Sequence, residues 1–398
     1  MNKYAIVNLL YGTGTYLIGA CINAQVHKKF RFKYNLMFDI VLMVDANLYI
    51  YKDILELFYD KIILIDMISV KLNEDYKKII NKRYTNSMHL YSTKYNFFKL
   101  IEYEKILLVD IDILPVDKNF YNCFKYNTPA SMINNLDIYT KTNIKKSYNM
   151  KDFFNRDLEN VKDTDLPTIS NNIKKFINAG LLLISPKKDD FDNILKFIKL
   201  AENGNGYSSG TKGVAVDETI LMLYYLYNKK ENIYSLDPNM TVIPWYKNSD
   251  TNNKYSINYL STIKPWNKPM IFMHKEEFIY KYLINNVIKK HKLLKTIHLF
   301  NIAKTIYNYN KNIDFLSNRC NKSDMLKQIC NDNILKIKKM EEIIVQPENR
   351  ENYENISNKI EKKLDKIWRN MNKKKYILNF SFGSVESIVN KLVDVFKK

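Results

Sequence analysis

Short apolar runs of β type alternate with longer runs of helical period from the amino terminus onward. That alternation constrains the fold more than any other feature of the chain. Tyr4–Leu10, Phe38–Val44, Lys61–Ile65, the run Ile106-Leu107-Leu108-Val109 that leads into Asp110, Ala130–Ile133 and Gly180–Ser185 read as strands. Tyr16–Lys28, Tyr51–Tyr59, Tyr95–Tyr103, Asp189–Ala201 and Asp217–Tyr227 read as helices. Strands separated by helices imply an α/β domain whose helices cover a largely parallel sheet. In such sheets ligands bind at the carboxyl ends of the strands.

Asp110-Ile111-Asp112 falls at one of those ends. If the strand continued, residues two apart would point to the same side, so the two carboxylates would converge while Ile111 turned inward. Pro115 cannot donate to a ladder, so the strand is expected to stop about there. Two carboxylates in that position are hard oxygen ligands for Mg²⁺ or Mn²⁺, of the kind that bridge a protein to a substrate's phosphates. The plainer alternative is a pair of solvated carboxylates in a strand-end turn.

Of 398 residues, 46% are hydrophobic and 13% aromatic, which supplies a substantial core and excludes a disordered chain. The abundance of Asn, Lys, Ile and Tyr has the texture of an AT-rich genome, such as that of an intracellular parasite or a large DNA virus. The net charge of +20 fits a solvated lysine-rich surface, or attraction to nucleic acid, an anionic membrane face or a phosphorylated ligand. No zinc-finger, RNA-recognition or basic-zipper pattern accompanies it, so no specific nucleic-acid partner is expected. Cys21, Cys123, Cys320 and Cys330 form no C-x-x-C pair and suit a reducing compartment. No run is long enough to span a bilayer. Residues 1–24 are interrupted by Asn8 and by Gly12-Thr13-Gly14-Thr15, which a signal peptide tolerates poorly. The expected location is cytoplasmic.

Only 9 residues are glycine, and most cluster in two places. Gly12, Gly14 and Gly19 lie in the first strand–loop–helix, and Gly204, Gly206, Gly210 and Gly213 precede Asp217. Glycine permits close backbone approach to a ligand, although ordinary turn chemistry accounts for part of this. The first loop has neither P-loop nor dinucleotide-binding spacing. Residues 135–175 are polar and aperiodic, an inserted loop region. The expected organisation is a catalytic domain over 1–285 and a Lys/Asn-rich helical extension over 286–398. That extension ends in an amphipathic helix, Val385-Ile388-Val389-Leu392-Val393-Phe396, suited to packing on its own domain or to peripheral membrane contact.

Four blocks in order now carry a resemblance. They are Tyr16-x-x-Gly19-Ala20, then Thr93-Lys94 with Leu107-Leu108-Val109-Asp110-Ile111-Asp112, then Asn178-Ala179-Gly180-Leu181-Leu182-Leu183-Ile184-Ser185-Pro186, then Val216-Asp217-Glu218 followed by Lys264-Pro265-Trp266. Over roughly Lys3 to His274 the chain resembles glycosyltransferase family 8, the glycogenin-like group. The resemblance implies a GT-A (Rossmann-like) fold, with a mixed, mostly parallel sheet flanked by helices. It further implies a metal-dependent retaining transferase that moves a hexose from a UDP-sugar, UDP-glucose or UDP-galactose, to an unknown sugar or protein acceptor.

By that resemblance, Asn8 and Tyr16 stand where the uracil and ribose are held, Lys94 where a lysine meets the donor, and Asn178 and Ala179 where the donor sugar sits. Asp110, Ile111 and Asp112 line the donor diphosphate, and Asp110 and Asp112 would ligate Mn²⁺ (or Mg²⁺). Asp217, with Asn178, is the catalytic candidate; Glu218 stands where the family often has Gln, and Lys264 would neutralise the diphosphate. The third metal ligand is a histidine in the family. Here that position is Asn258, and His274 is the other candidate. A homodimer is compatible with the family. Self-glycosylation would need an exposed tyrosine such as Tyr207. Two rival readings follow from Asn258 and from the charge: a catalytically weakened sugar-nucleotide-binding protein, and a basic protein that binds nucleic acid or a membrane surface.

Overall fold

The computed structural model describes residues 2–79, 87–135, 145–154, 173–202, 207, 215–244, 251, 253–261, 263–268, 273, 277–311 and 362. The carboxyl-terminal amphipathic segment, Cys320, Cys330, His274 and the glycines of 204–213 lie outside the described residues. Ten strands are present among them: β1 (Tyr4–Leu10), β2 (Asp39–Val44), β3 (Lys61–Leu64), β4 (Lys105–Val109), β5 (Ile113–Pro115), β6 (Ala130–Asn135), β7 (Ser147–Tyr148), β8 (Lys175–Ile184), β9 (Ile233–Ser235) and β10 (Ser256–Asn258). The longer helices are α1 (Leu17–Tyr34), α2 (Asp190–Glu202), α3 (Val216–Leu223), α4 (Ile279–Ile288) and α5 (Lys292–Lys311).

Eight strands form one mixed sheet in the order β3-β2-β1-β4-β8-β6-β9-β7. The β3, β2, β1 and β4 strands run parallel, β8 runs antiparallel to both β4 and β6, and β9 returns parallel to β6. This is the mixed, mostly parallel sheet with flanking helices that the alternating pattern demands. Strand periodicity builds one face of its core. Ala5 and Val7, Val41 and Met43, Ile106 and Leu108, and Leu182 and Ile184 lie two apart and join a single buried cluster. Against it pack Tyr95, Phe97 and Phe98, together with Ile194 and Phe197 of α2 and Ile220, Leu221 and Leu223 of α3. Each fully buried Val, Leu, Ile, Phe or Met among them contributes about 1.5–3 kcal/mol.

Some local expectations changed in detail. Tyr51–Tyr59 forms only a short helix, Lys52–Leu55, and Met88–Lys99 is wound as 3-10 turns that overlap only the first half of the expected Tyr95–Tyr103 helix. The β4 strand stops at Val109 rather than near Pro115. After a turn, β5 begins a separate antiparallel pairing with β10, in which Pro115 lies opposite Ser256.

Among the described residues the chain divides into two compact units, one of 2–12 and 26–258, the other of 13–25 and 259–311 with Lys362. The units divide at Asn258, whereas the sequence texture changes near residue 285. The second unit is organised on Trp266, which is fully buried and donates from Nε1 to the Thr15 carbonyl at 2.9 Å. Tyr259 and Tyr280 complete its aromatic cluster. The buried Lys268–Glu277 ion pair, 2.6 Å long, closes the segment that follows Trp266. Among the described residues, no helix is long and apolar enough to cross a membrane.

Candidate functional site

Asp110-Ile111-Asp112 is a turn between β4 and β5, closed by the Ile113 N–H donating to the Asp110 carbonyl at 2.9 Å. Strand alternation therefore does not orient the two carboxylates. The turn does, and β5 fixes its far side. Asp110 is held from the other direction as well, because its N–H donates to the Gly180 carbonyl at 2.8 Å. Ile111 is buried within the turn and Asp112 is 8% exposed.

Asn178-Ala179-Gly180 reaches that place because β8 carries a bulge. Its register with β6 runs Ser131↔Leu182 and then Ile133↔Ile177, so the residues between are displaced from the ladder. The Ser131 hydroxyl takes over the missing ladder bonds. It donates to the Asn178 carbonyl at 2.9 Å and accepts from the Asn178 N–H at 3.1 Å. Asn178 Oδ1 in turn accepts from the Gly180 N–H at 2.9 Å. Gly180 stands against the Asp110 carboxylate, where a β carbon would lie 2.5 Å from Oδ2.

Lys94 and Asp217 form a buried ion pair, Nζ to Oδ2 2.6 Å, with side-chain exposures of 10% and 2%. Lys94 Nζ also donates to the Ala179 carbonyl at 3.4 Å, tying the pair to β8. Burial opposes the Lys94 charge, but the carboxylates of Asp217 and Asp110 outweigh it and hold the ammonium well above the usual lysine range. Asp217 opens α3, and its Oδ1 is buried with no hydrogen-bond partner. Its neighbour Glu218 accepts from Ala215 N–H at 3.0 Å and from Ala179 N–H at 3.3 Å. Burial, and then the charge of Asp217, push the Glu218 carboxyl up to about 8.

The first unit thus brings Lys94, Asp110, Ile111, Asp112, Asn178, Ala179, Asp217 and Glu218 to one edge of the sheet. Asn8 is different. Its side chain is fully buried, Nδ2 donates to the Val109 carbonyl at 2.7 Å, and Oδ1 accepts from the Tyr59 hydroxyl at 3.1 Å, so it braces β1 against β4 from inside. Tyr16 and Lys264 belong to the second unit, where Tyr16 meets Trp266 edge-on and Lys264 Nζ lies 5.9 Å from the Tyr16 ring centre. Tyr207 is 1% exposed and its hydroxyl donates to the Phe197 carbonyl, so it is a core residue and no exposed acceptor.

Sequence reasoning missed Tyr11, Ser131 and Asp45. Tyr11 directly follows β1; burial raises its phenol, and Lys94, Tyr91, Asp217 and Asp110 are the charges it senses. Asp45, at the end of β2, accepts from the Gly12 N–H at 2.9 Å and from Leu48 N–H at 3.0 Å. Both follow a strand's carboxyl end, a signal the sequence does contain. Ser131 had none, because its role depends on the bulge opposite.

Among the described residues, no group of three His, Cys, Asp or Glu side chains is arranged to hold a metal ion. The oxygen donors still fit one. Asn258, 8% exposed, has a buried Oδ1 without a partner, and β10 sets it opposite Ile113, the residue after Asp112. Two carboxylates and a carboxamide oxygen are hard ligands suited to Mg²⁺ or Mn²⁺.

No protein-family model matches the chain. Over 198 residues it is 29% identical to the uncharacterized protein R707 of Acanthamoeba polyphaga mimivirus, a match that covers 50% of this chain and 60% of that one. The chain therefore matches less than two thirds of that relative's length. Among solved structures, it is similar to the glycosyltransferase GlyE of Streptococcus pneumoniae TIGR4, with 14% identity, coverage of 72% of this chain and 63% of that chain, and a TM-score of 0.40. It is also similar to an active-site mutant of LgtC, with 16% identity, coverage of 70% and 95%, and a TM-score of 0.39. For mouse xyloside xylosyltransferase 1 the values are 9%, 65% and 98%, and 0.31.

Proposed function

We propose that this chain is a metal-dependent GT-A glycosyltransferase of the family 8 type, transferring a hexose from a UDP-sugar with retention of configuration. The observation that carries the reading is a meeting of distant segments. Asp110 and Asn178-Ala179-Gly180 abut at one sheet edge, beside the buried Lys94–Asp217 pair. The second, third and fourth of the ordered sequence blocks supply these same residues. A bound divalent cation would neutralise charge on the leaving diphosphate.

The protein's own groups divide the remaining work. Asp110 and Asp112 hold the cation. Lys94 places a fixed positive charge next to Asp217 in a site shielded from water, where such charges act strongly. Asp217 Oδ1, buried and unpartnered, is an acceptor for a sugar hydroxyl. Asn178 offers amide hydrogens to the same sugar, since its Oδ1 is engaged by Gly180. Both Glu218 oxygens accept backbone N–H bonds and Asp217 Oδ2 is paired with Lys94, so neither carboxylate is poised as a nucleophile. That favours same-face displacement.

A donor screen tests the reading. Thermal stabilisation is measured for UDP-glucose, UDP-galactose and other nucleotide-sugars, with Mn²⁺, Mg²⁺ or chelator, in the native chain and in Asp112→Asn. Metal-dependent stabilisation by a UDP-sugar, lost in Asp112→Asn, is expected, because ligand that binds only the folded state raises its apparent stability. Stabilisation indifferent to metal and to the substitution sinks the proposal. Binding without UDP release would instead identify a sugar-nucleotide-binding protein.

A further inference from the structure

We propose that the carboxyl-terminal tip of α1 docks on an anionic lipid bilayer, with Phe32, Tyr34 and Met37 entering the headgroup layer and the cations around them meeting lipid phosphates. The proposal does not depend on the sugar-transfer reading above.

The first observation is exposure. Phe32 is 81% exposed and Met37 70%, the two highest values for large apolar side chains among the described residues. Tyr34, between them in sequence, is exposed as well. One exposed apolar side chain is ordinary, but several at a single helix end mark an interaction surface.

The second is that the exposure is built in. α1 stops in a Schellman turn. Asn35 takes φ 50, Leu36 N–H donates to the Arg31 carbonyl at 3.0 Å, and Asn35 N–H donates to the Phe32 carbonyl at 3.4 Å. On the far side Phe38 is buried and stacks on Tyr121, ring centres 5.0 Å apart, and its carbonyl accepts from Arg31 at 2.9 Å. Phe32 and Met37 are therefore held outward by fixed neighbours.

The third is charge. The chain has no acidic residue before Asp39, and 28–37 carries Lys28, Lys29, Arg31 and Lys33. Asp60, an acid beside them, is engaged by Arg31 and, at 4.0 Å, by Lys28. Lys118 comes from a different element, the 3-10 turn Lys118–Lys125, yet its Nζ and that of Lys33 each lie 5.7 Å from the Tyr34 ring centre. Basic residues in the last turn of a helix offset its dipole, but that does not account for a cation brought in from elsewhere. Cations around exposed apolar side chains complement an anionic bilayer, where buried apolar area and attraction to headgroups add. A nucleic acid would use the cations and leave Phe32 and Met37 without a role.

β2 starts at Asp39, directly after the tip, and runs parallel to β1 as β4 does. The tip thus stands at the amino ends of these strands and the candidate site at their carboxyl ends, so docking leaves the site uncovered.

The test is sedimentation of the full chain with vesicles of phosphatidylcholine, alone or mixed with phosphatidylserine. Binding to the mixed vesicles only, weakened by salt, is expected. Phe32→Ser with Met37→Ser should lower the partition coefficient by about tenfold or more. Lys33→Glu with Lys118→Glu should lower it by a similar factor. Both variants should keep the native melting temperature, since they change surface positions. In Phe32→Trp, fluorescence emission should shift to the blue on the mixed vesicles, and sedimentation without that shift refutes insertion. If the double serine variant binds like the native chain, the proposal fails; loss of binding in Leu392→Glu would then place the anchor in the carboxyl-terminal segment. It fails equally if the native chain ignores the mixed vesicles, and salt-sensitive binding to DNA in that case would assign the cations to nucleic acid.

Discussion

Gly180 leaves no room for a side chain beside Asp110: a β carbon there would stand 2.5 Å from Oδ2 and 2.9 Å from Cγ of the carboxylate. The glycine is thus a shape requirement of the neighbouring acid. Gly180→Ala must turn the Asp110 carboxylate aside while leaving the apolar β4–β8 ladder intact. The expected result is a loss of cation-dependent UDP binding of about tenfold or more, with a melting temperature near that of the native chain. Calorimetric titration of UDP with Mn²⁺ or Mg²⁺ checks it, and unchanged affinity refutes it.

The Lys94–Asp217 pair should be expensive to break on one side only. Lys94→Met leaves a carboxylate buried without its partner and should cost about 3–5 kcal/mol of unfolding free energy, whereas Lys94→Met with Asp217→Asn should recover most of that. Because the Lys94 pKa is raised, the pair's contribution is complete below the unfolded lysine value of about 10.4 and is lost only as pH rises through the still higher folded value. The Lys94→Met deficit should therefore be constant from about pH 6 to about pH 10. Urea unfolding at several pH values measures both.

Glu218 predicts a slope of the opposite origin. Its carboxyl is raised to about 8 by burial and by Asp217, so between its unfolded value and 8 the folded chain binds more protons than the unfolded one. Its contribution to stability should fall as pH rises from about 4.3 through 8, then level off. In Glu218→Gln that component of the pH dependence should vanish, even if the loss of a backbone acceptor lowers stability throughout. A slope identical to the native one would contradict the assignment.

In the second unit, Gly19 lies against the Trp266 indole, where a β carbon would sit 2.5 Å from Cε2 and Cζ2. Gly19→Ala should destabilise by about 1–3 kcal/mol through overpacking. Adding Trp266→Phe should relieve part of the clash, although it forfeits the bond from the indole N–H to the Thr15 carbonyl. Thermal unfolding of the single and double variants shows whether the two positions couple.

Much of the sheet was legible because hydrophobic periodicity is local. Tyr4–Leu10 came out as one strand, and Lys61–Leu64 and Asp190–Glu202 differ from expectation by a residue or so at their ends. The Asp110 motif was legible as residue types, but its geometry was not. Alternation along a strand gave the wrong reason for the carboxylates' orientation, because β4 ends at Val109. Asn8 shows the reverse case, a polar residue at a strand's carboxyl end whose amide is engaged by a neighbouring strand and by Tyr59. Tyr207, the candidate tyrosine for self-glycosylation, has its hydroxyl bound in the core.

The sequence alone determined which residues alternate, where carboxylates and amides stand, and the order of the four blocks, since these depend on spacing along one chain. Tertiary structure decided which of them meet. The bulge opposite Ser131 brings Asn178 to Gly180 up to Asp110, and the β5–β10 pairing sets Asn258 beside the turn. The Lys94–Asp217 pair joins residues 123 positions apart. Such contacts follow from register and burial across strands, which no local pattern of residues encodes.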